Sequence, residues 1–210
     1  MSTMANVTKL TIRGAGRTST VITVGNVATA LYVTTSGSKM FALKDMAFTD
    51  ARLYKHANGM VSVAGSSAGA YFRVTNVAFN DFDDVVADTW ALNLTGYGLV
   101  DHCTFTPHGP GGGGIRIFGG NTTVFSGWQT PLVWGDANAT FIEDNTFTWP
   151  TQNTSNPDCA VDAYNGARFV FRYNTVINTR VAYHGLDSTS NGRSTLSSEV
   201  YNNAFIGDSR

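Results

Sequence analysis

The phrase IEDNTF at 142–147 returns along the chain in altered spellings, and this constrains the fold more than any other feature of the sequence. LKDMAF 43–48, VTNVAF 74–79, VDHCTF 100–105, FRYNTV 171–176 and VYNNAF 200–205 align with it without gaps. The first position is always apolar: Leu43, Val74, Val100, Ile142, Phe171 and Val200. The last forms a column of Phe48, Phe79, Phe105, Phe147, Val176 and Phe205. Two places before it stand Met46, Val77, Cys103, Asn145, Asn174 and Asn203. The terminal residues are spaced 31, 26, 42, 29 and 29 apart. The long interval predicts an additional coil, with TTVFSGW 122–128 as its degenerate copy.

A second, alternating phrase separates these: LYVTT 31–35, VSVAG 61–65, LNLTG 92–96, IRIFG 115–119, LVWGD 132–136, VDAYNG 161–166 and VAYHG 181–185. Alternation of apolar and polar residues over four to six positions is strand patterning, and a glycine after it marks a turn. No helical periodicity interrupts the pattern. A short all-strand repeat cannot bury its apolar face alone, so successive copies must stack. The expected fold is therefore an all-β solenoid of seven or eight coils, parallel-paired, forming a single domain over 1–210. Each NTF phrase is a corner of a coil. Phenylalanine stacks on phenylalanine in the core, and Asn145, Asn174 and Asn203 form an amide ladder that satisfies turn backbone.

Composition narrows the function. Of 210 residues 14% are charged, with a net charge of −1, which gives no electrostatic footprint for nucleic acid or an anionic membrane. No apolar run approaches the ~18 residues of a membrane span. The start, MSTMANVTKL, shows no signal-peptide pattern. Cys103 and Cys159 fit no metal spacing; they are either a disulfide or two buried thiols.

The corner phrases, together with LTIRGAGRTSTVI 10–22, resemble the coils of right-handed parallel β-helices of the pectin-lyase-like superfamily, and the likeness spans nearly the whole chain. LVDHCTF 99–105 is similar to the WIDHCTF phrase of pectate lyases, with Leu99 in place of Trp, but their arginine-rich catalytic motif has no counterpart here. The resemblance implies an extracellular, cell-surface or virion-associated protein that acts on or binds a polysaccharide, as a lyase or glycoside hydrolase. The alternatives are a non-catalytic glycan- or receptor-binding module of a tail fibre or adhesin, and a purely structural rod.

Alternation places Ser62, Asn93, Arg116, Asp162 and His184 outward on one face. Asp162 and His184 then meet across neighbouring coils, with Asp187 within reach of the same place. An aspartate beside a histidine orients the imidazole or shares acid–base work with it; the plainer reading is a structural tie with Asp187 capping the turn. Arg116, Tyr164 and Trp149 are the candidate substrate contacts, Trp149 as a ring on which a sugar stacks. Asp136 with Asp162 is a candidate glycosidase carboxylate pair. DFDDVVAD 81–88 is either a Ca²⁺ site or a solvated acidic loop; no other cofactor is expected. HGPGGGG 108–114 is either a plain connection or backbone pressed close to a ligand. Neither end of the repeat carries a polar cap, so the end coils are expected to meet a partner, another copy or further chain.

Overall fold

The computed structural model describes residues 8–25, 27–35, 39–50, 56–65, 71–82, 89–109, 111–119, 133–151, 159–184 and 194–207. Among them there are strands and turns and no helix. The first coil carries β1 (Lys9–Arg13), β2 (Val21–Val24) and β3 (Leu31–Thr35). In the next two, one long strand runs through the corner: β4 (Met40–Asp50) precedes β5 (Val61–Gly65), and β6 (Tyr71–Asn80) precedes β7 (Trp90–Thr95). The corner then breaks the strand. β8 (Tyr97–Asp101), β9 (Thr104–Thr106) and β10 (Gly113–Phe118) make one coil, and β11 (Thr140–Glu143), β12 (Thr146–Thr148) and β13 (Cys159–Tyr164) the next. β14 (Arg168–Arg172), β15 (Thr175–Ile177) and β16 (Arg180–Tyr183) follow, then β17 (Ser197–Tyr201) and β18 (Ala204–Ile206).

All pairing is parallel and runs from coil to coil. A 6-stranded sheet holds β16-β13-β10-β7-β5-β3 in that order, and a 12-stranded sheet holds the rest. The protein is a parallel β-solenoid of about five turns, so β3 and β16 lie roughly 24 Å apart at ~4.8 Å per step. The expected count of seven or eight coils is too high. Phe105 pairs directly with Phe147, so the long interval between them holds an insertion and no extra coil. The 122–128 segment lies outside the described residues. The described part of LVWGD is not a strand either: residues 133–138 are turns and bends, held to the 12-stranded sheet by Arg168, whose Nη2 donates to the Val133 carbonyl at 2.9 Å.

The columns are real. Phe48, Phe79, Phe105 and Phe147 stack with centroids 5.8, 5.0 and 4.7 Å apart and planes within 12°. Such pairs contribute about 0.5–1.5 kcal/mol each beyond area burial. Ahead of each ladder residue the backbone turns left-handed, at Asp45, Asn76, His102, Asp144, Tyr173 and Asn202, with φ between 53° and 59°. Asparagine and aspartate tolerate this region best, which explains their prominence in the phrase.

The amide ladder matches the register expected from the sequence. Asn174 Oδ1 accepts from Asn145 N at 2.9 Å and from Asn145 Nδ2 at 3.0 Å. Asn174 Nδ2 donates to the Ile142 carbonyl at 2.9 Å and to Asn203 Oδ1 at 3.1 Å. Cys103 takes the same place one coil earlier: its N–H donates to Asn145 Oδ1 at 2.9 Å, and its thiol contacts the Val74 carbonyl at 3.6 Å. Burial pushes that thiol up to about 12. Both cysteines are free and buried, which settles the alternatives left open by the sequence.

Because Asn174 is buried with four hydrogen bonds, Asn174→Ala is expected to cost about 1–3 kcal/mol. Asn203→Ala, at the more exposed end of the ladder, should cost less. Urea unfolding of the two variants checks the order; equal losses would deny the ladder its role.

Candidate functional site

The outward column on the 6-stranded sheet follows from strand register alone. Tyr32 pairs with Ser62, Ser62 with Asn93, Asn93 with Arg116, and Arg116 with Asp162. The next partner of Asp162 is Ala182, not His184. His184 lies two residues further on, beside Tyr164, because Val161 pairs with Val181 and the strands run on in that register. The two residues still meet: His184 Nδ1 lies 3.3 Å from Asp162 Oδ2. The imidazole reaches back diagonally along the coil and stacks on the Tyr164 ring, centroids 3.9 Å apart.

Asp162 is not on the solvent side, as alternation suggests, but 7% exposed. Arg116 in register, the Asp162–His184 contact and the Tyr164 ring close over it. Tyr164 is itself buried, and burial first, then its hydrogen bond to Asp162 and that group's charge, raise its pKa and keep the phenol protonated. Arg116 stands with its guanidinium carbon 4.8 Å from the Phe118 ring centroid, 5.0 Å from Tyr164 and 5.6 Å from Trp90. Its Nη1 donates to the Ala57 carbonyl at 3.1 Å. Cation–π contacts of this kind hold a guanidinium in one place.

Of the candidates, the structure therefore brings Arg116, Asp162, Tyr164 and His184 together. Asp187 lies outside the described residues. Trp149 is not a sugar platform: it is 1% exposed, its Nε1–H donates to the Gly112 carbonyl at 3.0 Å, and it meets the Phe82 ring edge-on. Asp136 and Asp162 are not a catalytic pair. Asp136 sits over the other sheet, 3.3 Å from Arg168, where the Asn138 N–H and that arginine hold its carboxyl below the usual range. Of the acidic stretch 81–88, residues 83–88 lie outside the described residues. Among the described residues no group of three metal-ligating side chains occurs.

Trp90 and Phe118 also belong to this cluster. Phe118 is legible in the sequence, since alternation in IRIF puts it on the face of Arg116. The glycine run has its explanation here: a Cβ on Gly113 would collide with the Trp90 ring, so the backbone is pressed against a side chain of the protein itself.

A second polar cluster lies on the 12-stranded sheet. Arg73 grips Asp101 with both Nε and Nη2, at 3.1 and 2.8 Å, and His102 Nδ1 lies 2.9 Å from the same carboxylate. VDHCTF is thus coil grammar: Val100 points inward, Asp101 is clamped, His102 is the left-handed corner, Cys103 is the ladder and Phe105 the stack.

Burial opposes the Asp101 charge, but Arg73 and His102 outweigh it, and the carboxyl titrates below its ordinary value. A carboxylate depressed in the folded state contributes stability above its unfolded pKa of about 3.9, lost as pH falls through the folded value. Arg73 is more than half exposed, so the expected cost of Asp101→Asn at neutral pH is about 1 kcal/mol. Melting the variant and wild type from neutral pH to below ~4 checks this; the difference should shrink at the acid end.

Comparison with protein-family models, with characterised proteins and with solved structures gives no match, so the reading of the site rests on its own geometry.

Proposed function

We propose that the outer face of the 6-stranded sheet contacts an anionic extracellular polysaccharide, and that His184, oriented by Asp162, is the base of a lyase-type reaction there. The observation that carries this is the contact between Asp162 Oδ2 and His184 Nδ1 beside a fixed guanidinium. Nδ1–H on the carboxylate selects the tautomer whose Nε2 lone pair takes a proton, and the buried carboxylate then stabilises the imidazolium. In the elimination, Nε2 removes the proton on the carbon next to the uronate carboxylate. The electron pair left behind forms the double bond as the glycosidic C–O bond breaks, and the departing oxygen takes up a proton. Arg116 supplies the positive charge for the carboxylate. Hydrolysis by paired carboxylates is less well supported, because Asp162 is the one carboxylate the described residues bring to this cluster. The likeness of the corner phrases to the pectin-lyase-like superfamily supports the same substrate class.

The packing favours one second reading. Arg116 is held by three rings, and Asp162 and Tyr164 are buried, which suits a rigid, non-catalytic glycan-binding face. Incubation with polygalacturonate and alginate, followed by the ultraviolet absorbance of the unsaturated product, separates the two. The lyase reading expects turnover that His184→Ala abolishes with an unchanged melting temperature. Retention on polyanion without turnover supports the binding reading, and neither activity nor retention rejects the proposal.

A further inference from the structure

Among the described residues the tryptophan that faces solvent is Trp134, 60% exposed. It rides a turn fixed on both sides. Arg168 donates to the Val133 carbonyl, and Gly135 N–H donates to Glu199 Oε1 at 3.1 Å. Glu199 and Tyr201 are two residues apart on β17, so they share the outer face of the 12-stranded sheet. Tyr201 is 37% exposed and Tyr173, edge-on to it, is 49% exposed.

Between these rings the hydrogen-bonding groups are locked. Arg172 Nη1 donates to the Tyr201 hydroxyl at 2.8 Å, and Nη2 donates to Glu143 at 2.9 Å. Its guanidinium also lies 5.8 Å from the Tyr173 ring and 5.9 Å from Tyr201. Tyr201 accepts from the arginine, so its own proton is the one it has left to give.

We infer that this surface, built from Trp134, Tyr173 and Tyr201 around the Arg172–Glu143 pair, is a binding site for a neutral polysaccharide, separate from the Asp162–His184 cluster on the other sheet. Charge selects the ligand class. Arg172 is matched by Glu143 and Arg168 by Asp136, and Glu199 adds a carboxylate held by the Gly135 N–H, so these residues offer a polyanion no surplus cation. Exposed rings suit the apolar C–H faces of sugars, and fixed polar groups beside them suit their hydroxyls. An apolar protein partner would instead have to bury the Arg172–Glu143 pair, at a desolvation cost that the rings between charges do little to offset. Because Tyr201 and the turn that carries Trp134 are held before binding, less ordering entropy is lost.

The inference does not depend on the lyase reading. Its test is electrophoresis in gels containing galactomannan, a soluble mixed-linkage β-glucan or polygalacturonate. Retardation by at least one of the two neutral polymers is expected, insensitive to salt. Trp134→Ala and Tyr201→Ala should each weaken it about tenfold, the effect of losing ~1.4 kcal/mol of contact, while His184→Ala leaves it unchanged. Melting temperatures of the three variants establish that they are folded. No retardation by either neutral polymer, or retardation undiminished in Trp134→Ala, overturns the inference. So does concentration-dependent dimerisation in sedimentation that Trp134→Ala removes, which would make the face a contact between copies. Interaction with polygalacturonate that fails in His184→Ala reports on the other sheet alone.

Discussion

Every corner of this solenoid leaves a backbone N–H pointing along the stack, and the coil that follows must supply its acceptor. Asn145, Asn174 and Asn203 do so in turn for Cys103, Asn145 and Asn174. Where the column instead holds Met46, β4 and β6 pair on both sides of the corner, and at Val77 the Cys103 sulfur of the following coil takes the backbone N–H. An asparagine therefore stands in for a stretch of ladder and lets the strand break and turn more sharply. Cys103 marks the changeover, with its thiol on the Val74 carbonyl where the next coil has the Asn145 amide on the Val100 carbonyl. Once the corners are pinned, the strands on either side have no freedom to slip, because a one-residue slip would turn every core side chain outward. The phenylalanine stack and the outward columns follow from that.

The same logic separates what the sequence reveals from what it hides. A repeat displays what recurs, so the corner phrase, the phenylalanine column and the amide ladder are legible down to single residues. What happens once is not. The interval between Phe105 and Phe147 looks like room for a coil, and only the direct pairing of the two rings shows it to be an insertion. VAYHG aligned on VDAYNG puts His184 in the column of Tyr164, and only the structure shows its side chain reaching back to Asp162. Alternation predicts that Asp162 and Trp149 face outward or lie in a loop. It carries no information about what covers them, which is decided by residues distant in the chain.

Charge is distributed by stacking rather than by sequence proximity. Arg13 meets Asp45, Arg73 meets Asp101, and Arg172 meets Glu143, each across one coil. At the solvent-exposed end of this series such pairs contribute little to stability. Their effect is to fix long side chains and to leave the 12-stranded face close to neutral, consistent with the low charge content of the chain. The 6-stranded face differs because its carboxylate is covered. A buried charge needs a partner or a proton, and Asp162 has both Arg116 in register and His184 in contact.

The support beneath Arg116 reaches back to the first coil. His56 is fully buried, with Nδ1 donating to the Val27 carbonyl at 2.9 Å and Nε2 facing Asp50 at 3.2 Å. A ring nitrogen with a carbonyl before it must carry its proton, which leaves Nε2 to face the Asp50 carboxylate. Such a pair is costly to bury, and the backbone that carries it is anchored: the His56 carbonyl accepts from Gly59 N–H at 2.8 Å and from Trp90 N–H at 3.1 Å. The next residue, Ala57, offers its carbonyl to Arg116. One histidine thus ties the first coil to the second through Val27 and to the third through Trp90. Its neighbour then positions the guanidinium of the fourth, beside the ring of that same Trp90. The candidate site is built on the strands of the solenoid, but a buried polar pair two coils away sets where its cation stands.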